Sequence, residues 1–235
     1  MIGKEHEIAK VTAGAAARKS APRDLLESGL AQMGLELCQD AQTNLLRYVA
    51  LLDKWNKIYN LTAVRDPERM IGLHILDSLS VLTKIEWRNN VLDVGTGGGL
   101  PGLPIAIALR GCAPDVRVTM LDTIAKKTTF VRHVIGELGL ANAEVVTDRV
   151  EQYHPPHSFD VVVSRAFAEL KDFVEVAGHL CAEDGRMFAM KGVHPFDEIA
   201  SLPKGFVMEN IIPLQVPQVN GQRHLVVIKK NQKKN

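Results

Sequence analysis

The chain has 235 residues, 46% of them hydrophobic and 23% charged, with a formal net charge of +1. That length holds one α/β domain with a full core and a modest N-terminal addition. The charge balance excludes a global basic field, so any nucleic-acid partner must be held by local patches. Three cysteines, Cys38, Cys112 and Cys181, stand far apart without a C-x-x-C, which argues against a disulfide framework or a zinc site and suits a reducing cytoplasm. No apolar run approaches the roughly 18 residues that span a bilayer, and a membrane partner is not expected.

Residues 1–22 are rich in alanine and charge but lack the apolar centre of a signal peptide, and they read as a disordered tail. Residues 23–88 read as a helical cap. Within it Leu45, Tyr48, Val49, Leu52 and Trp55 recur at three- and four-residue steps, a stripe that belongs to a core rather than to a cofactor. Asp66-Pro67 predicts a helix start, with Asp66 as the cap. The helix it opens carries His74 and Asp77 three residues apart on one face, where a local hydrogen bond is the expected role of the pair.

From residue 89 to 230 strands and helices alternate. Strands are expected at 91–94, 116–121, 143–147, 159–163 and 186–190, with helices at 124–138 and 170–180 between them. Two last strands, near 206–213 and 223–229, have no helix between them and pair antiparallel, the second following the turn signal Asn220-Gly221. The fold class is therefore α/β, a doubly wound and mostly parallel sheet with an antiparallel C-terminal strand. Residues 231–235 form a basic tail, expected either to be solvated or to touch phosphate.

The stretch Asp93-Val94-Gly95-Thr96-Gly97-Gly98-Gly99-Leu100-Pro101-Gly102 joins a strand to a helix, the place where such sheets hold a nucleotide-like ligand. Two ligands compete for it. Gly97, Gly99 and Gly102 spell the dinucleotide G-x-G-x-x-G, with Asp122 about 20 residues on to hold a ribose. Against this, the strand runs into Gly95, and an acid sits two positions before it. Acid-x-Gly-x-Gly-x-Gly is the first motif of S-adenosylmethionine methyltransferases, and that ligand, which carries a sulfonium and an ammonium, is favoured by a neighbouring acid.

Ligands in open α/β sheets lie outside the carboxyl ends of the strands. Those ends carry Gly95–Gly99, Asp122, Asp148–Glu151, Ser164-Arg165 and Lys191. Asp122 is expected to accept from the ribose hydroxyls, or else to cap the helix after it. Asp148–Glu151 borders the adenine. Arg165 follows a strand buried on both faces, where a charge must be paired. Its partner is a ligand phosphate, carboxylate or guanine edge, or else Asp160 or Glu169. No Asn/Asp-Pro-Pro-Tyr/Phe and no Pro-Cys or Thr-Cys pair occurs, so the motifs serving exocyclic amines and pyrimidine C5 are missing. A purine ring nitrogen such as guanine N7 needs neither, because it is already nucleophilic and has no proton to lose. A methyltransferase for a small molecule or protein, a binding-only regulator and a dinucleotide oxidoreductase are the rival readings.

Several segments together resemble one family: Tyr59-Asn60-Leu61-Thr62-Ala63-Val64, His74-Ile75-Leu76-Asp77-Ser78-Leu79, the glycine stretch, Ser164-Arg165-Ala166, Lys191-Gly192 and Arg223-His224-Leu225-Val226-Val227-Ile228. The resemblance is to the RsmG (GidB) family of bacterial 16S ribosomal RNA guanine-N7 methyltransferases, over roughly residues 24–230. It implies a Rossmann-like class I methyltransferase fold, S-adenosylmethionine as methyl donor, and a guanine of the decoding region as acceptor, within 16S rRNA of the 30S subunit or an assembly intermediate. It further implies cofactor contacts at Gly95, Leu100, Val150, Glu151 and Arg165. Gly97 and Asp122 rest on the generic fold, and Arg165 is also the expected catalytic residue. His74, Arg65, Arg149 and Lys191 are candidate RNA contacts. No metal is expected, and the protein is expected to be a cytoplasmic monomer.

Overall fold

The architecture comes from a computed structural model, which describes residues 21–165, 167, 169–192 and 196–231. The expected N-terminal tail lies outside the described residues up to residue 20, and so does most of the expected basic tail. Pro22, placed at the end of that tail, instead opens helix α1 (Pro22–Met33), where its fixed φ suits a first turn. Helix α2 (Gln39–Tyr59) follows and buries the predicted stripe: Leu45, Tyr48 and Leu52 are fully buried. Asn60 ends it in the left-handed region at φ 51°, which asparagine tolerates better than most residues.

Asp66 caps the next helix as expected, accepting from the Glu68 N–H. The helix is not uniform. A short α-turn, α3 (Pro67–Met70), passes into a π-helix over Ile71–Leu76 and then into α4 (Asp77–Leu79). Such wide turns favour functional positions because they rotate side chains out of the ordinary helical phase.

A seven-stranded sheet forms the body: β1 (Asn90–Val94), β2 (Arg117–Asp122), β3 (Ala143–Thr147), β4 (Phe159–Ser164), β5 (Cys181–Lys191), β6 (Phe206–Pro213) and β7 (His224–Lys230). Their spatial order is β3-β2-β1-β4-β5-β7-β6, and only β7 runs antiparallel to its neighbours. Helices α5 (Gly102–Leu109), α6 (Ala125–Leu138) and α7 (Leu170–Ala177) make the crossovers, and α8 (Phe196–Ile199) follows β5. The chain reverses its winding between β1 and β4, which opens a crevice above their carboxyl ends.

Strand alternation sorts the core into two layers. Val91, Val118, Met120, Val161 and Val163 face α5, α6 and the N-terminal helices, while Leu92, Val94, Leu121 and Val162 face α7. Helix α5 is buried on every side, between the sheet and α2, which explains its unbroken apolar sequence. The N-terminal helices thus share one core with the sheet. Two boundaries differ from expectation. The helix at 170–180 ends at Ala177 and closes as a 3₁₀ turn, Gly178–Leu180. Strand β5 starts at Cys181 rather than 186, because its pairing with β4 slips between Phe159 and Val161.

Gly185 sits at that slip. A Cβ there would lie 2.9 Å from the Phe159 carbonyl oxygen and 3.0 Å from that of Asp160, both backbone atoms that move only with the strand. Gly185→Ala is expected to lower unfolding free energy by about 1–3 kcal/mol, the scale of overpacking. A urea melt with an unshifted midpoint would show the strand gives way freely.

Candidate active site

The glycine loop is held from three sides. Gly95 and Thr96 donate their N–H groups to the Leu121 carbonyl at 2.8 and 3.0 Å. The Gly97 N–H donates to Asp122 Oδ2 at 2.8 Å. From beneath, Asp93 Oδ2 accepts from the Thr96 hydroxyl at 2.7 Å and from the Gly102 N–H at 2.8 Å. From the N-terminal helices, the buried Tyr48 hydroxyl donates to the Gly98 carbonyl at 2.7 Å. The motif acid is therefore a brace. It is fully buried, and burial pushes its pKa up to about 6 against the lowering effect of those two hydrogen bonds.

The glycines differ in what they allow. A Cβ on Gly99 would strike Leu103, and one on Gly102 would meet Met120 at 2.5 Å and Asp93 at 2.7 Å, so these two serve packing. Gly97, at φ 58°, would point a Cβ into open space, with only the Gly95 carbonyl oxygen 4.0 Å away. A space kept clear above a backbone turn is what a closely approaching ligand requires.

Gly95, Gly97 and Asp122 are thus brought together. Asp122 takes the capping role, its Oδ1 accepting from the Ile124 N–H at the start of α6, and adds one the sequence did not suggest, its Oδ2 holding the loop. Each oxygen keeps a further lone pair for a ligand hydroxyl. Leu100 is buried and closes the loop by donating its N–H to the Thr96 carbonyl. Val150 packs under the strand ends with Val94 and Leu121, beginning the 3₁₀ turn Val150–Gln152, while Glu151 beside it is exposed.

Arg165 turns the other way. Its Nη1 donates to Asp77 Oδ2 at 2.9 Å and to the Leu73 carbonyl at 3.1 Å, so the partner is neither Asp160 nor Glu169. Asp160 accepts instead from the Asn90 N–H. Asp77 Oδ1 takes a second guanidinium, Arg223 Nε, also at 2.9 Å. The expected His74–Asp77 hydrogen bond gives way to these contacts. Both side chains still line one cavity, but His74 Nε2 bonds to the Thr62 hydroxyl at 2.9 Å. Burial, and then Arg165, push the His74 pKa down to about 4, so the ring is neutral at physiological pH. Around this cluster lies a cavity of about 390 Å³, walled by Val64, Leu73, Leu214 and the ends of β5 and β7.

Of the other RNA candidates, Lys191 lines this cavity, while Arg65 and Arg149 lie outside it. Arg65 is bound to the end of α2 through the Asn56 carbonyl and Asn60 Oδ1. Lys191 pairs with Glu198 at 2.9 Å. Arg149 is exposed. Sequence reasoning gave no role to Arg223, although it stands just after the Asn220-Gly221 turn at the mouth of the crevice, and it read Tyr48 only as core.

Residues 41–226 match the GidB family, described as rRNA small subunit methyltransferase G. The chain belongs to this family. The ribosomal RNA small subunit methyltransferase G of Chromobacterium violaceum is 52% identical over 201 residues, covering 86% of this chain and 94% of the relative. The protein of the same name from Pseudomonas aeruginosa is 50% identical over 207 residues, covering 88% and 95%. Among solved structures, the O-methyltransferase TomG from Streptomyces achromogenes superposes with a TM-score of 0.57 at 13% identity, covering 91% of this chain and all of that one (100%). A SAM-dependent methyltransferase from Aquifex aeolicus gives 0.54 at 17% identity, covering 69% and 93%. These likenesses show the Rossmann-like methyltransferase fold, and the family assignment removes the dinucleotide reading of the loop.

Gly97→Val places a branched side chain in the cleared space, at a backbone angle that valine resists. It is expected to weaken S-adenosylmethionine binding by at least about ten-fold, roughly 1.4 kcal/mol, while far-UV dichroism stays native. Calorimetry that finds full affinity would move the ligand away from this loop.

Proposed function

We propose that this protein transfers the methyl group of S-adenosylmethionine to N7 of a specific guanine in 16S ribosomal RNA. Membership of the rRNA small subunit methyltransferase G family carries this reading. The geometry supports it with a cleared glycine loop on one half of the crevice and a cation-lined cavity on the other.

Bound at the loop, the cofactor supplies a methyl group activated by its sulfonium. The chain's residues do the rest by placement. The N–H groups and open face around Gly95 and Gly97, with Leu100 behind them, would seat its backbone-facing side. Asp122 would accept from the ribose hydroxyls with its remaining lone pairs, and Val150 and Glu151 would border the adenine. Arg165 follows β4, which lies directly beside β1. It stands between the two halves and would set the distance between donor and acceptor.

Guanine N7 attacks with a lone pair. The bound donor would supply the methyl and leave uncharged, so the positive charge would end on the purine. No proton is lost, so no general base is needed, and the neutral His74 in the cavity is in keeping with that. Proximity and alignment supply the rate. The substrate is rRNA within the small subunit or an assembly intermediate, met by a cytoplasmic monomer. No helix among the described residues is long and apolar enough to cross a membrane. With a formal net charge of only +1, recognition would rest on shape and a few phosphate contacts.

The test is transfer of labelled methyl to 30S subunits and to naked 16S rRNA, both from cells lacking the enzyme, with the product mapped by N7-specific strand scission. Label at a single guanine N7 is expected. Cofactor binding with no label in rRNA would reject the reaction.

A further inference from the structure

The cavity beside Asp77 contains more positive charge than its own residues neutralise. Asp77 carries one charge and is shared by two guanidinium groups, Arg165 and Arg223. Lys191, on the same wall, forms a pair with Glu198, and His74 is neutral. Asp93 acts on Arg165 from beneath the glycine loop but does not line the cavity. Two guanidinium groups on this wall therefore share one carboxylate, and since Asp93 also acts on Arg165, Arg223 is the one left nearer to an excess charge. That side chain is only 26% exposed, and Nε and Nη1 are its bonded atoms, the first to Asp77 and the second to the Gln222 carbonyl. A partly buried guanidinium with a spare donor edge is costly unless an anion completes it.

We propose that Arg223 grips a backbone phosphate of the acceptor RNA and that Asp77 is the positioning residue that aims it. The inference rests on the methyl-transfer reading above and assigns the cavity to the acceptor nucleotide. Strand order places the two partners of the reaction. Arg223 precedes β7, three strands from β1, which at about 4.8 Å per strand is roughly 14 Å from the glycine loop. Arg223 therefore stands toward the acceptor side of the crevice rather than over the glycine loop. The reaction's charge flow points the same way. Methylation makes the purine cationic, so a guanidinium against the base would oppose it, and one bonded to N7 would occupy the attacking lone pair. The anion for Arg223 is the phosphodiester instead. Its planar fork matches two phosphate oxygens, and Asp77, bonded at Nε, fixes the direction in which that fork opens.

The experiment measures methyl transfer to 30S subunits across a series of salt concentrations, together with cofactor affinity by calorimetry, for the wild type, Arg223→Gln, Arg223→Lys and Asp77→Asn. The wild type must first label rRNA, and a failure there would defeat the underlying reading and this one with it. Given that label, Arg223→Gln is expected to raise the KM for 30S subunits about ten-fold to hundred-fold and to lower the slope of log KM against log salt by about 0.7, one phosphate contact. S-adenosylmethionine affinity stays within two-fold. Arg223→Lys, a point charge without the fork, recovers the salt slope but only part of the KM. Asp77→Asn falls between wild type and Arg223→Gln. If Asp77→Asn fails to fold, the Arg223 pair decides alone. A loss of cofactor affinity in Arg223→Gln, with the RNA KM and salt slope unchanged, would assign the cation to the cofactor's carboxylate and overturn the proposal. Unchanged values for both ligands would overturn it as well.

Discussion

One buried carboxylate, Asp77, joins segments that are far apart in the chain. It stands just after the π-turn, accepts from Arg165 across 88 residues and from Arg223 across 146. Those partners follow β4 and precede β7, on either side of β5 in the sheet. The contact closes the N-terminal helices over the open end of the sheet and gives the crevice its far wall. Neither kind of charge would be tolerated there alone. Removing one partner of a buried ion pair costs about 3–5 kcal/mol, and the figure here falls toward the low end because both guanidinium groups keep some access to water.

The near wall follows a different rule. Few contacts there are long-range and ionic, and nearly every constraint is a backbone hydrogen bond. Asp93 braces the loop from below, Asp122 holds it from the side, and Tyr48 reaches across from α2 to fix the Gly98 carbonyl. The loop is therefore ordered before any ligand arrives, which lowers the conformational cost of binding. The reaction proposed for the site needs alignment more than acid–base chemistry. A rigid donor half and an acceptor half aimed by ion pairs would supply that alignment.

Much of this architecture was legible in the sequence, for physical reasons. Parallel strands buried on both faces write themselves as apolar runs, and β1, β2 and β4 were placed within a residue or so, as was the half-exposed edge strand β3. The glycine loop announced itself because positive φ at Gly95, Gly97 and Gly99 admits few other residues. What stayed hidden depends on distance or on backbone phase. Nothing in the periodicity of Ile71–Leu76 marks a π-turn, and the partners that replace the expected His74–Asp77 bond, Thr62 for the one and two arginines for the other, leave no sign in the spacing. The partners of Arg165 and Arg223 are set by sheet order rather than by spacing. Tyr48 fits an apolar stripe so well that its hydroxyl gave no sign of its use. Asp122 had two readings, helix cap and ribose acceptor; the cap is present, and the contact to the Gly97 N–H, set by sheet order, had no sign in the sequence.

The central claim is that the break in strand order between β1 and β4 divides the crevice, with the cofactor over β1, β2 and β3 and the acceptor nucleotide over β4, β5 and β7. Hydrogen–deuterium exchange, read segment by segment, tests it most directly. With S-adenosylhomocysteine alone, protection is predicted at 95–100, 122–124 and 150–151, while 214–224 exchanges as in the free protein. Adding 30S subunits should then protect 214–224. Protection of 214–224 by the nucleoside alone would contradict the division.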